Sequence, residues 1–133
     1  MSYGQSNFMK RVLADVARYQ NRRRLVRSTL IERLIIRHIN PQKMHPNPED
    51  EFSDPNIGPN DEIIGQYVEV IRTSGHTGAL IFDEPITVQR MKPDGYMILN
   101  GHHRWAAAIK TNQRSVRAHI ENPRNAAILD RKK

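Results

Sequence analysis

Between residues 85 and 120 the order of residue types leaves the chain little choice of path. Residues 85–91 alternate apolar and polar side chains, Lys92-Pro93-Asp94-Gly95 carries turn chemistry, and residues 96–100 form a second apolar run. Together they predict a β-hairpin. Gly101 follows without a linker, and residues 105–110, with three alanines, predict a helix. A strand must therefore turn into a helix at a single glycine. Asn112-Gln113 breaks that helix, and residues 115–120 alternate again as a closing strand.

Upstream the signals are more varied. Ser6 or Asn7 can cap a helix whose apolar positions Phe8, Val12, Val16 and Tyr19 recur at helical spacing. A second helical stretch begins near Ser28, with Glu32 in its first turns. Residues 35–39 are rich in β-branched side chains and favour a strand, although the helix could run into them. Pro41, Pro46, Pro48, Pro55 and Pro59 mark a long loop, and long loops in small domains tend to be functional. Asn60 or Asp61 then caps a helix carrying Ile63, Ile64, Tyr67, Val70 and Ile71, which stops at Ser74-Gly75. Residues 79–82 are a short apolar run.

Charge divides the chain more sharply than hydropathy does. Residues 1–40 hold nine Lys/Arg against two Asp/Glu, whereas residues 41–133 hold twelve of each. The whole net charge of +7 thus sits in the first 40 residues. This predicts a basic helical arm over residues 1–33, a domain over 34–121 and a basic tail over 122–133. Arg22, Arg23 and Arg24 are the arm's candidate nucleic-acid contacts, with a solvated arginine-rich face as the plain alternative. The apolar stripe on the first helix also suggests a homodimer formed through the N-terminal helices, since such a stripe outside the main fold needs covering. There is no cysteine, which excludes thiol nucleophiles, thiolate metal sites and disulfides. No apolar run approaches the roughly 20 residues that span a bilayer, so no membrane association and a cytoplasmic location are expected.

The strand-to-helix turn is also where chemistry is concentrated. The first amides of a helix lack intrahelical acceptors and favour an anion, and glycine permits its close approach. Gly101, His102, His103 and Arg104 are therefore the candidate phosphate-binding residues, with Arg104 able to grip two oxygens at once. Adjacent histidines point about 100° apart on a helix, so one at most should meet a ligand. An ordinary turn, a histidine cap and a surface ion pair would use the same residues. The His-His pair lacks the spacing of a metal site, and none is expected. Met91, Met97 and Trp105 fit a core better than a base-stacking surface, and His45 and His76 read as loop residues.

The segment Asp94-Gly95-Tyr96-Met97-Ile98-Leu99-Asn100-Gly101-His102-His103-Arg104-Trp105-Ala106-Ala107-Ala108, with Pro46-Asn47-Pro48 and Glu84-Pro85-Ile86-Thr87-Val88 upstream, resembles the ParB/sulfiredoxin superfamily. The resemblance spans about residues 35–121 and is carried most specifically by Gly-x-x-Arg between strand and helix. It implies an α+β fold with a mixed sheet and helices, and a turn that binds the phosphates of a nucleoside triphosphate. Glu49-Asp50-Glu51 on the proline-rich loop and Asp83-Glu84 before the hairpin could hold Mg²⁺ against that triphosphate or serve as a base, with plain solvated charge as the alternative. The resemblance also implies a place for Glu84 beside the cradle, as the candidate catalytic acid or base. ParB-like nuclease or phosphotransferase activity, and a non-catalytic interaction module, remain as alternatives. The missing cysteine removes the reaction of sulfiredoxins, and a helix-turn-helix module for reading specific DNA is not expected after the last strand.

Overall fold

The computed structural model describes residues 7–19, 22–73, 85–92 and 94–122. Its centre is the hairpin foreseen above: β4 (Ile86–Lys92) and β5 (Tyr96–Asn100) pair antiparallel, with Gly95 at φ +99° closing the turn. Gly101 leads into α4 (His102–Lys110), and β6 (Val116–Ile120) returns parallel to β4. Ahead of the hairpin come α1 (Asn7–Tyr19), β1 (Arg24–Leu25), α2 (Leu30–Leu34), β2 (Arg37–Ile39), β3 (Met44–His45) and α3 (Asp61–Thr73). The strand order β2-β6-β4-β5-β3 mixes parallel and antiparallel neighbours, and β1 pairs antiparallel with the end of β4 through Arg24↔Lys92 and Leu25↔Met91. The architecture is the expected α+β mixed sheet.

Local chemistry accounts for the element ends. Asn60 caps α3 by accepting from the amides of Glu62 and Ile63 at 3.0 and 3.1 Å. Thr29, not Ser28, caps α2 through a reciprocal box with Glu32. β2 is shorter than expected because Ile35 and Ile36 precede its pairing with β6. The long loop is not featureless: short 3₁₀ turns at Pro41–Lys43 and Glu51–Ser53 are each capped by the side chain just before them. Residues 79–82 lie outside the described residues, as does His76. No helix among the described residues is long and apolar enough to cross a membrane.

The core is organised around α4, which is buried along nearly its whole length. Ala106, Ala107 and Ala108 have no exposed surface, so their small side chains let the helix lie close against its neighbours. Trp105 is buried beside them, and its indole N–H donates to the Pro41 carbonyl at 2.9 Å. Phe8 of α1 meets this group edge-on, 5.6 Å from the Trp105 ring and 6.3 Å from Phe52.

That contact changes the reading of the N-terminus. Phe8, Met9 and Val12 belong to the same buried cluster as Trp105 and the α4 alanines, so α1 is part of the body. The division at residue 33 inferred from charge is not a division of packing. Charge marked the outer face of α1, while its apolar face found a cover in this chain. The stripe that suggested a partner helix is thereby used up internally, and β1 ties the following residues into the sheet. Phe8→Ala is expected to lower the unfolding free energy by about 3–4 kcal/mol in urea titration. A helix standing free of the core would lose less than about 0.5 kcal/mol on the same substitution.

A candidate phosphate-binding site at the start of α4

Gly101 stands at φ +104° and ψ 24°, in the left-handed region, and caps α4 without any side-chain bond. A Cβ there would lie 3.0 Å from Nη2 of Arg104 and 3.1 Å from Cγ1 of Ile86. The Arg104 guanidinium thus folds back over the glycine, and only a residue without a side chain leaves it room. The first intrahelical bond runs from the Trp105 amide to the Gly101 carbonyl at 2.9 Å, and the amides of the first turn face outward from the helix end. A cavity of about 340 Å³ opens at this point.

Its floor is Asn100, Gly101, His102, His103 and Arg104, the strand-to-helix turn named from sequence. Its wall comes from α3, where Ile63 and Tyr67 sit one turn apart, and Asp50 reaches in from the proline-rich loop. By periodicity alone, Ile63 and Tyr67 belong only to the apolar face of this helix. Ile63 is 36% exposed, and the signal was available in the width of that apolar face, which is more than one side of α3 can bury.

The histidines do not act as two cations beside an anion. His102 is buried, and its Nε2 accepts the Asn47 amide proton at 3.1 Å, which forces the neutral tautomer with hydrogen on Nδ1. Its ring packs 5.0 Å from Phe52, and Nδ1 lies 3.7 Å from an Asp50 carboxylate oxygen. Burial pushes its pKa down to about 4, against a smaller opposing pull from Asp50. His103 accepts the Asn60 amide at 3.0 Å, and burial lowers its pKa as well. Each imidazole therefore braces a section of the loop against α4. The groups at this turn with the chemistry to attract an anion are the helix amides and Arg104.

The other nominated residues are placed elsewhere. Arg22 and Arg24 are exposed, and Arg23 donates to the backbone carbonyl and carboxylate of Asp94 in the hairpin turn. That bond holds the Asp94 carboxyl below its usual pKa. β1 pairs with the Lys92 end of β4, whereas Thr87 near its start pairs with Asn100. The arginine triplet is thus separated from the cradle by most of the hairpin, on the order of 15–20 Å at the usual rise per strand residue. Arg22 and Arg23 border a second cavity of about 280 Å³ with Asp15, Arg18, Tyr19 and His45. Glu84 lies outside the described residues.

The depressed His102 pKa carries a pH signature. Its folded value of about 4 lies below the unfolded 6.5, so the unfolded chain binds the proton more readily between them. Stability is complete above pH 6.5 and is lost as pH falls towards 4, by about 3 kcal/mol from this group. Denaturant titrations at pH 7 and pH 4 should show this loss, and His102→Gln should remove most of it from the difference.

The family model for the ParB N-terminal domain matches residues 26–130. No curated protein matches. Among solved structures, the C-terminally truncated chromosome-partitioning protein ParB from Caulobacter crescentus complexed with CTP-γ-S has a TM-score of 0.52 at 21% identity, covering 72% of this chain and 49% of that one. A conserved hypothetical protein from Pyrococcus furiosus gives 0.50 at 22% identity, covering 68% and 33%. Sulfiredoxin from Arabidopsis thaliana gives 0.49 at 18% identity, covering 67% and 86%. The chain spans about half the length of the Caulobacter protein and a third of the Pyrococcus one. With the match extending over residues 26–130, most of the described fold, this chain belongs to the ParB N-terminal domain family.

Proposed function

We propose that this domain binds a nucleoside triphosphate, with its phosphates seated on the Gly101–Arg104 turn and its base or ribose against Ile63 and Tyr67. The observation that carries this reading is the joint position of Gly101 and Arg104. A left-handed glycine, a helix N-terminus and a guanidinium converge on one cavity of about 340 Å³, a size in the usual range for small-molecule sites. The bound CTP-γ-S of the Caulobacter ParB adds support from a relative of similar fold.

Asp50 gives the cavity a second feature that suits a metal-bound phosphate. Among the described residues it is the one carboxylate in the lining, and by itself it would repel a triphosphate. Mg²⁺ commonly binds through one or two carboxylates together with substrate phosphates and water, and Asp50 is the residue that would hold it here. The ion would neutralise phosphate charge. Arg104 and the α4 amides would orient the chain of phosphates, while the neutral histidines keep the loop closed on its far side.

Association with nucleic acid is a separate part of the proposal. It rests on the exposed Arg22 and Arg24, which lie away from the cradle and so leave it available to a free nucleotide. A thermal-shift panel of the four ribonucleoside triphosphates, with and without Mg²⁺, tests the main reading. One of them should stabilise the domain by roughly 10 °C near a hundredfold excess over Kd, and Arg104→Ala should weaken binding at least tenfold. No shift with any nucleotide, beside DNA or RNA binding that weakens steeply with salt, would transfer the turn to a nucleic-acid backbone.

A further inference from the structure

α2 is built inside out. It contains five residues and none is buried, while Leu30, Ile31 and Leu34 on one side are 60–70% exposed. Ile35 and Ile36 extend the patch into the approach to β2, at 49% and 42%. The polar residue faces the protein instead: Glu32 pairs with Arg90 at 3.2 Å and more loosely with Arg37 at 3.9 Å. Five aliphatic side chains in one short segment are an unusual expense of exposed surface on a single chain, where such patches mark interaction sites.

The segment is nevertheless held rigidly. A five-residue helix does not persist unaided in water. Here the Thr29–Glu32 box fixes its start, and His119 Nε2 donates to the Arg33 carbonyl at 2.7 Å. The Ser28 amide donates to the Asn122 side chain at 2.7 Å, anchoring the residue before the cap. These polar ties present the aliphatic face outward in one orientation, as a preformed contact surface does.

We infer that this face receives an acidic segment of another protein, one that offers aliphatic side chains flanked by carboxylates. Charge decides the class of partner. Residues 22–40 carry six arginines against one glutamate. Arg27 is exposed beside the patch, and the Arg37 side chain is 39% exposed. A second copy of this chain would bring these arginine rims against each other, since a two-fold contact matches each patch to itself. A nucleic acid offers nothing for five aliphatic side chains to bury against. Membrane-surface helices present much longer apolar faces than one and a half turns.

Methyl-resolved NMR on the full chain tests this with defined probes: a short synthetic helix of leucine and glutamate, its leucine–lysine counterpart, and vesicles containing phosphatidylglycerol. The acidic helix should shift the methyl groups of Ile31, Leu34 and Ile36 saturably, and binding should weaken as salt rises. Leu34→Glu should reduce its affinity at least tenfold while the thermal midpoint stays within a few degrees, because the replaced side chain is exposed. Arg27→Gln should weaken the acidic helix alone. Equal binding of the lysine helix, shifts produced only by vesicles, or concentration-dependent self-association through the same methyls without peptide would each overturn the assignment.

Discussion

The left-handed bend at Gly101 is the constraint on which the rest of the site depends. β5 lies in the interior of the sheet between β4 and β3, and α4 is buried beside Trp105 and the alanines, so the connection between them has no slack. One residue makes the turn, at a positive φ that a side chain would strain and crowd. The same bend sets Arg104 over the glycine and aims the end of α4 into a cavity. Fold and candidate chemistry thus share a single backbone conformation.

Around that bend, the histidines contribute organisation instead of charge. His102 and His103 project from successive positions of α4 and accept amide protons from Asn47 and Asn60, thirteen residues apart on the proline-rich loop. Phe52 fills the space between them, packing near both rings. Two acceptors and one aromatic ring therefore convert an irregular segment into a wall of the cavity and carry Asp50 to its edge. Neutral imidazoles suit this task, because protonation would remove the lone pairs that the loop amides use.

The N-terminal forty residues combine two functions that composition alone could not separate. Arg11, Arg18, Arg22, Arg24 and Arg27 are exposed, while Phe8, Met9, Val12 and Leu25 enter the body of the domain. Asp15, the lone acid of α1, is buried between Arg18 and His45. Tyr19 donates its hydroxyl to the Pro46 carbonyl, a bond that joins the end of α1 to the start of the loop that walls the site. The basic segment is consequently a structural clamp on the fold as well as a charged surface.

Local chemistry determined much of this protein from sequence. The hairpin, the Gly101 turn, the alanine-rich helix and the closing strand follow from turn residues and periodicity, which act over a few positions and so are written in the chain directly. That Gly101 and Arg104 stand together at the start of that helix was legible for the same reason. Tertiary structure alone decided what depends on contacts between distant segments: the docking of Phe8 on Trp105, the use of both histidines as acceptors, and the arrival of Asp50, Ile63 and Tyr67 beside Gly101. It also decided that α2 turns its leucines outward, since Glu32 finds Arg90, 58 residues away, only after β4 is in the sheet. A side chain's partner is fixed by which surfaces the completed fold brings together, and periodicity records only that an apolar or charged face exists.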